Sequence, residues 1–164
     1  MRVYLATTMS GLARLLADES LESPTAHAVT PGLREWYVEG DAEELEYAAL
    51  TTAARASLRL LADDPAVPPR RVVVVAEVAD ATARPAPDVE RAAVRLADPV
   101  PLRAVVSAHV DDAAAEDDVR RALAALTAAD AGDEDAQFLV DGVEDHALGW
   151  YAAQEIGPLV ELGA

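Results

Sequence analysis

RVVVVAEV, residues 71–78, is the stretch of this 164-residue sequence that decides its fold. Four consecutive valines disfavour a helix, because each branched side chain loses rotamer freedom against the preceding helical turn. Apolar and polar residues do not alternate here, so other parts of the chain must cover both faces of the extended segment. The stretch therefore predicts an interior strand of a β-sheet.

The sequence on either side predicts partner strands and covering helices. Strands are expected at 2–6, 27–30, 91–97, 102–110 and 148–152, and the three strands between 71 and 110, joined only by loops, predict local antiparallel pairing. Residues 80–88, with two prolines, predict a loop. Helices are expected after Thr7 or Thr8, after Thr30-Pro31, over 41–61, after 116–118, after 133–135 and over 154–162.

The helix over 41–61 has the strongest pattern. Asp41 and Glu44 resemble a capping box, and the apolar stripe is predicted to contain Leu45, Ala49, Thr52, Ala56 and Leu60. The whole pattern predicts an α+β fold in a single domain spanning residues 1–164. Its mixed or mainly antiparallel sheet is expected to have about four to six strands, packed by about four to six helices.

Composition limits the classes of function. The sequence is 52% hydrophobic but only 4% aromatic, and its 30 acidic and 13 basic residues give a formal net charge of −17. A charge of this sign disfavours direct binding to nucleic acid or to an anionic membrane surface, and favours a protein partner with a basic surface. A further interpretation is that the carboxylates mimic the phosphates of a nucleic acid. The alternative is that they increase solubility and stabilise the N-termini of helices.

Several chemistries have no sequence signal. Cysteine and lysine do not occur, which excludes thiolate and Schiff-base chemistry, and no phosphate-binding, dinucleotide-binding or nucleophile-elbow motif is present. No cofactor is therefore predicted. The N-terminus lacks the apolar core of a signal peptide, so we expect a soluble cytoplasmic protein.

One local pattern carries ionisable side chains suited to a metal site or to catalysis. His109 and Asp111 are two residues apart at the end of a predicted strand, so they should point to the same side of it. An imidazole and a carboxylate can hold a divalent cation or act as a base with its orienting group, and Asp145 and His146 could add ligands. The alternative is that the His is half-exposed and that Asp111 or Asp112 caps the next helix.

Two Trp-Tyr pairs, Trp36-Tyr37 and Trp150-Tyr151, stand out in a chain with so few aromatic residues. The simpler interpretation is that they fill large spaces in an alanine-rich core. The alternative is a binding surface, since Trp and Tyr combine a large apolar area with a polar group. Glu155 would then lie at the polar rim, or it would only complement a helix dipole.

Four stretches carry a resemblance to a known family: TPGLREWYVEGDAEELEYAAL (30–50), PRRVVVVAEV (69–78), AVVSAHVDD (104–112) and AGDEDAQFLVDGVEDHALGWYAAQEI (131–156). They resemble a family of short, acidic, uncharacterised proteins from actinobacteria, over nearly the whole chain. The resemblance implies cytoplasmic expression in such a bacterium, and no activity is carried over from it.

Two functions follow from these patterns. The first is a non-enzymatic binding or regulatory protein that presents an acidic face and an aromatic patch to a protein partner. The second is a small metal-binding protein or metal-dependent enzyme that uses His109, Asp111 and His146. A homodimer, formed through an unpaired strand edge or an aromatic patch, is compatible with either function.

Overall fold

The computed structural model describes residues 1–23 and 25–163, and within them the chain forms nine strands and six α-helices. The strands are β1 (Arg2–Thr7), β2 (Ser20–Leu21), β3 (Thr25–His27), β4 (Val72–Glu77), β5 (Ala83–Pro85), β6 (Ala93–Leu96), β7 (Val100–Pro101), β8 (Val105–Val110) and β9 (Gly149–Ala152). The helices are α1 (Met9–Asp18), α2 (Pro31–Trp36), α3 (Ala42–Asp63), α4 (Glu116–Asp130), α5 (Glu134–Gly142) and α6 (Ile156–Glu161).

Seven strands form one antiparallel sheet in the order β5-β6-β3-β1-β4-β8-β9, and β2 pairs with β7 separately. The α+β class and the antiparallel sheet are confirmed, but the expected upper limit of six strands is wrong. Strand β5 falls in the segment 80–88, which is predicted as a loop, and β2 and β7 fall in segments where no strand is predicted. Each has only two or three residues, and β5 and β7 contain proline, so their extended form depends on a partner strand rather than on a sequence pattern.

The prediction of local antiparallel pairing after the valine stretch is confirmed for β4 and β8, which pair with each other, and is wrong for β6. Strand β4 pairs with β1 and β8, whereas β6 lies between β3 and β5. A strand buried on both faces needs neighbours that are apolar on both faces, and β1 provides buried Val3, Tyr4 and Leu5. Strand β6 carries exposed Arg95, which fits a position nearer the edge of the sheet.

Both faces of β4 are covered, as the unbroken run of valines predicts. Val72 and Val74 lie on the face packed by α1 and α6, in one core cluster with Leu12, Leu15 and Ile156. Val73 and Val75 lie on the opposite face, where α3 covers them with its alanines. We call the first surface of the sheet the α1 face and the second the α3 face.

Three predicted helix starts are confirmed by their caps. Thr8 Oγ1 accepts a hydrogen bond from the backbone N–H of Gly11, and Thr30 Oγ1 accepts one from Leu33. Asp41 and Glu44 exchange side chain-to-backbone hydrogen bonds of 2.9 and 3.1 Å, which completes the capping box. These caps fix where α1, α2 and α3 begin.

The predicted apolar stripe of α3 is correct only in its first half. Leu45 and Ala49 are buried, but the stripe then continues through Ala53, Ser57 and Leu61 while Leu60 is exposed. The buried stripe therefore follows a spacing of four residues along the helix. Ser57 Oγ donates to the carbonyl of Thr7 at 2.7 Å and accepts from the N–H of Val72 at 2.9 Å, so α3 is tied to the ends of β1 and β4.

Candidate functional site

Trp36, Tyr37 and Trp150 are exposed on the α3 face. Their relative exposures are 61%, 43% and 62%, so the interpretation that these residues fill the core is wrong for all three. Helix α2 ends at Trp36 after six residues, and β9 is an edge strand beyond the cover of α3. Side chains alternate along β9, so Tyr151 turns to the other face and packs against the core there.

A groove of about 770 Å³ lies between α2, the first half of α3 and the segment that precedes β6. We call it the Trp36 groove. Its aromatic lining is Trp36, Tyr37 and Tyr47, and its charged lining consists of Glu39, Glu44, Arg55, Glu90 and Arg91. The groove is therefore an aromatic surface with charged groups of both signs, in which the carboxylates are more numerous.

The wall of the groove is held in place by contacts from three elements. The guanidinium carbon of Arg91 lies 3.7 Å from the centroid of the Trp36 ring, a cation–π contact. The carbonyl of Arg91 accepts a hydrogen bond from Thr30 Oγ1. Glu90 Oε1 lies 2.7 Å from Nε2 of buried His27 on β3. The aromatic surface is therefore supported by packed structure and does not belong to a free loop.

A second cavity, of about 430 Å³, lies where the start of α3 crosses β1, β4, β8 and β9. We call it the His109 cleft. It is lined by Arg2, Tyr4, Glu43, Glu46, Tyr47, Leu50, Val75, Val106, Ser107, His109 and Trp150. Tyr47 is 66% exposed and lines both cavities, so the two are neighbours on either side of one side chain.

Burial sets the protonation of two groups in the His109 cleft. Desolvation lowers the pKa of His109 below its ordinary value of 6.5, which leaves the imidazole neutral at pH 7. Desolvation, with a smaller contribution from the Glu46 carboxylate, raises the pKa of Tyr4 to about 12, so its hydroxyl keeps its proton. The imidazole of His109 and the hydroxyl of Tyr4 are therefore both uncharged.

Asp111 does not join His109 in this cleft. It is fully buried, and its two carboxylate oxygens accept hydrogen bonds of 2.8 Å from Nε and from a terminal nitrogen of the Arg71 guanidinium. The backbone N–H of Arg71 adds a third bond, at 2.9 Å. A carboxylate held in this way is already neutralised, so it could serve a metal only if the ion pair broke.

Asp145 and His146 lie elsewhere. His146 Nε2 is 2.7 Å from an Asp118 oxygen, and this hydrogen bond lowers the pKa of Asp118 below its ordinary value. The carbonyl of His146 accepts a bond of 2.9 Å from Arg71, and Asp145 is exposed. Over residues 1–23 and 25–163, no three His, Asp or Glu side chains converge on a point that could hold a metal ion.

Glu155 has a local partner. Its carboxylate accepts a hydrogen bond of 2.7 Å from the backbone N–H of Ala152, at the turn that leads into α6. It is not among the residues that line either cavity. The geometry matches the helix-start role rather than the rim role considered for it.

Sequence reasoning missed Tyr47 and Arg91. A signal for Tyr47 exists, because it is an aromatic residue outside the predicted apolar stripe of a long amphipathic helix. Arg91 gives no such signal, since only the folded chain brings it over Trp36. Both residues belong to the aromatic surface that the Trp-Tyr pairs indicated.

Within the described residues, no helix is both long enough and apolar enough to cross a bilayer. No curated protein and no solved structure matches the chain significantly. A family profile does match, over residues 1–160. The chain therefore belongs to DUF6912, a family of unknown function.

Proposed function

We propose that this protein is a small acidic cytoplasmic module that binds a protein partner and has no enzymatic activity of its own, with the Trp36 groove as its binding surface. The observation that carries the proposal is the exposure of Trp36 and Tyr37 around a groove of about 770 Å³. Exposed aromatic side chains in a concave surface are the residues that most often dominate the energy of protein interfaces.

The charges of the groove favour a partner segment that is both basic and apolar. Glu39, Glu44 and Glu90 line the groove, whereas Arg55 is held by Glu144 and Arg91 stacks on Trp36. The chain as a whole carries a net charge of −17. This charge would accelerate the approach of a basic partner and would oppose the approach of a second copy of the chain or of nucleic acid.

The metal-dependent alternative has less support from the same geometry. It requires His109 and Asp111 to act together, but the Asp111 carboxylate is occupied by Arg71. The binding proposal requires no such rearrangement, since its aromatic side chains are already exposed.

The two tryptophans allow a direct test, because they are the only ones in the chain and one lies in each cavity. In a Trp150→Phe protein, fluorescence reports on Trp36 alone. We expect a saturable change in emission with short peptides that interleave Arg and Leu, and none with matched peptides in which each Arg is replaced by Glu. Tyr37→Ala should weaken binding about tenfold or more, as for a central aromatic contact.

Phe138 provides the matched control. It is 78% exposed on α5 and does not line the groove, so Phe138→Ala should leave peptide affinity unchanged. Equal losses in the Tyr37→Ala and Phe138→Ala proteins, or no saturable change with any basic peptide, would refute the groove as the binding surface.

A further inference from the structure

The His109 cleft combines three kinds of surface. Tyr47 and Trp150 contribute aromatic rings, and the aliphatic side chains of Leu50, Val75 and Val106 line it as well. Tyr4, Ser107 and His109 add uncharged polar groups. The cleft can therefore cover a short apolar chain and still offer hydrogen-bond acceptors to a polar end.

Its formal charges are mostly negative. Glu43 and Glu46 line the cleft from the first turns of α3, and no ion pair of Glu43 occurs in the described part of the chain. The one cation, Arg2, is shared, since its Nε lies 3.0 Å from Glu77 and its terminal nitrogen lies 3.7 Å from Glu46. A positively charged ligand would thus meet carboxylates that are only partly neutralised.

We propose that the His109 cleft is a binding site for an alkylammonium group, with the ammonium near Glu43 and Glu46 and the alkyl chain against the apolar lining. The rings of Tyr47 and Trp150 suit such a cation, because aromatic faces attract organic ammonium groups. The neutral imidazole of His109 does not repel it. This inference rests on the residues of the cleft and does not require that the Trp36 groove bind a partner.

Other classes of ligand fit the cleft less well. Hard metal ions need several oxygen ligands in a fixed arrangement, and no such cluster exists among residues 1–23 and 25–163. An anion would be repelled by Glu43 and Glu46. A neutral alkyl group would leave Glu43 without a counter-charge and Glu46 only partly neutralised by Arg2. The alkylammonium group satisfies the apolar and the charged parts of the cleft together.

A Trp36→Phe protein, in which Trp150 is the only tryptophan, tests the site. Butylammonium, butanol and butyrate are titrated at constant ionic strength, and we expect a saturable change in Trp150 emission with butylammonium only. The double variant Glu43→Gln/Glu46→Gln should weaken butylammonium binding about tenfold or more, because both charges that face the ammonium are lost. The matched control is Glu39→Gln, which removes a charge from the groove instead and should leave binding unchanged.

A measurement on the unmodified protein tests whether the binding signal is independent of any effect that the substitutions have on folding. The ring signals of His109 in the NMR spectrum should shift with butylammonium at the same midpoint as the fluorescence change. An equal response to butanol, unchanged affinity in the Glu43→Gln/Glu46→Gln protein, or no saturable response would overturn the proposal. None of these results would affect the Trp36 groove, because that groove is measured through Trp36.

The source of the ammonium group is distinguished in the same assay. A peptide with one lysine and its norleucine counterpart are compared with butylammonium. Tighter binding of the lysine peptide, with no binding of the norleucine peptide, identifies a lysine side chain of a protein as the ligand. Binding of butylammonium without binding of the lysine peptide identifies a free amine.

Discussion

The two faces of the central sheet are covered in different ways. On the α1 face, Leu12, Leu15 and Ile156 are fully buried against Val72 and Val74. On the α3 face, small residues such as Ala49 and Ala53 make the contact, and Trp36, Tyr47 and Trp150 remain exposed around two cavities. One face provides a closed core, and the other provides the candidate binding surface.

The difference shows how side-chain size determines which face of the sheet contributes most to stability and which face remains available for binding. Large aliphatic side chains fill the space between a helix and a sheet and gain free energy from burial. Alanines allow α3 to approach the sheet closely, but they leave the areas beyond the helix uncovered. Four aromatic residues, Trp36, Tyr37, Tyr47 and Trp150, lie in those areas, where they can bind rather than stabilise.

The largest loss of stability is expected when the buried ion pair between Arg71 and Asp111, at one end of the α3 face, is broken. Asp111→Ala leaves Arg71, only 3% exposed, without a carboxylate partner. The free energy of unfolding should fall by about 3–5 kcal/mol, because the guanidinium charge stays buried without compensation. Urea unfolding followed by circular dichroism measures this change.

The neighbouring Asp112 serves as the control for that experiment. It is exposed and caps the turn Ala113–Ala115 through a bond of 2.9 Å to the N–H of Ala114. Asp112→Ala should cost only about 1 kcal/mol, the usual loss for a helix cap. If the two substitutions cost the same, the ion pair does not hold the α3 face together.

A second pair of substitutions compares the helices that cover the two faces. Leu12→Ala on α1 should cost about 2–5 kcal/mol, because it opens a cavity in a closed core. Tyr47→Ala on α3 should stay within about 0.5 kcal/mol, because the side chain is 66% exposed. Chemical denaturation of both variants measures the difference, and a Tyr47→Ala loss as large as that of Leu12→Ala would contradict the division between the faces.

The smallest expected effect is a pH dependence of the free energy of unfolding, which arises from His109 on the α3 face. The folded pKa of His109 lies below 6.5, so at pH values between the two pKa values the unfolded chain binds more protons than the folded one. The His109 contribution to stability is therefore present above pH 6.5 and is lost as the pH falls through 6.5 toward the lowered folded pKa. Urea titrations from neutral to mildly acidic pH should show a steeper loss in the wild-type protein than in His109→Gln.

That comparison has an internal control, since all the other ionisable groups are present in both proteins. Their contributions cancel in the difference. Identical slopes in the two proteins would mean that burial does not disfavour the charged form of His109.

The elements with a local sequence signal are the more predictable part of the fold, on both faces of the sheet. The run from Val72 to Val75 specified an interior strand, and the caps at Thr8, Thr30 and Asp41 specified three helix starts, because these signals are local. The short strands β2 and β7 pair with each other across a long stretch of sequence and β5 pairs with nearby β6, but none of the three has a local sequence signal. The order of the strands depends on burial across the whole sheet, so the pairing of β4 with β1 was not predicted.

The candidate site was predicted only in part. The scarcity of aromatic residues drew attention to Trp36, Tyr37 and Trp150, but their exposure depends on where α2 and α3 end, and that is a property of the folded chain. The separation of His109 from Asp111 depends on Arg71, which reaches Asp111 across two paired strands. A spacing of two residues places side chains on one side of a strand, but it does not identify their partners.

The position of β1 also has a consequence for synthesis. Strand β1 is synthesised before its long partner β4, in which Val72 lies opposite Thr7, and the Ser57 hydroxyl is bonded to the backbone at both of these strand ends. Its contact with β3 is limited to Tyr4 opposite His27. While the ribosome adds the residues in between, the apolar segment VYL therefore has no long strand beside it. During this interval the nascent chain is expected to be most prone to aggregation and to depend most on chaperones.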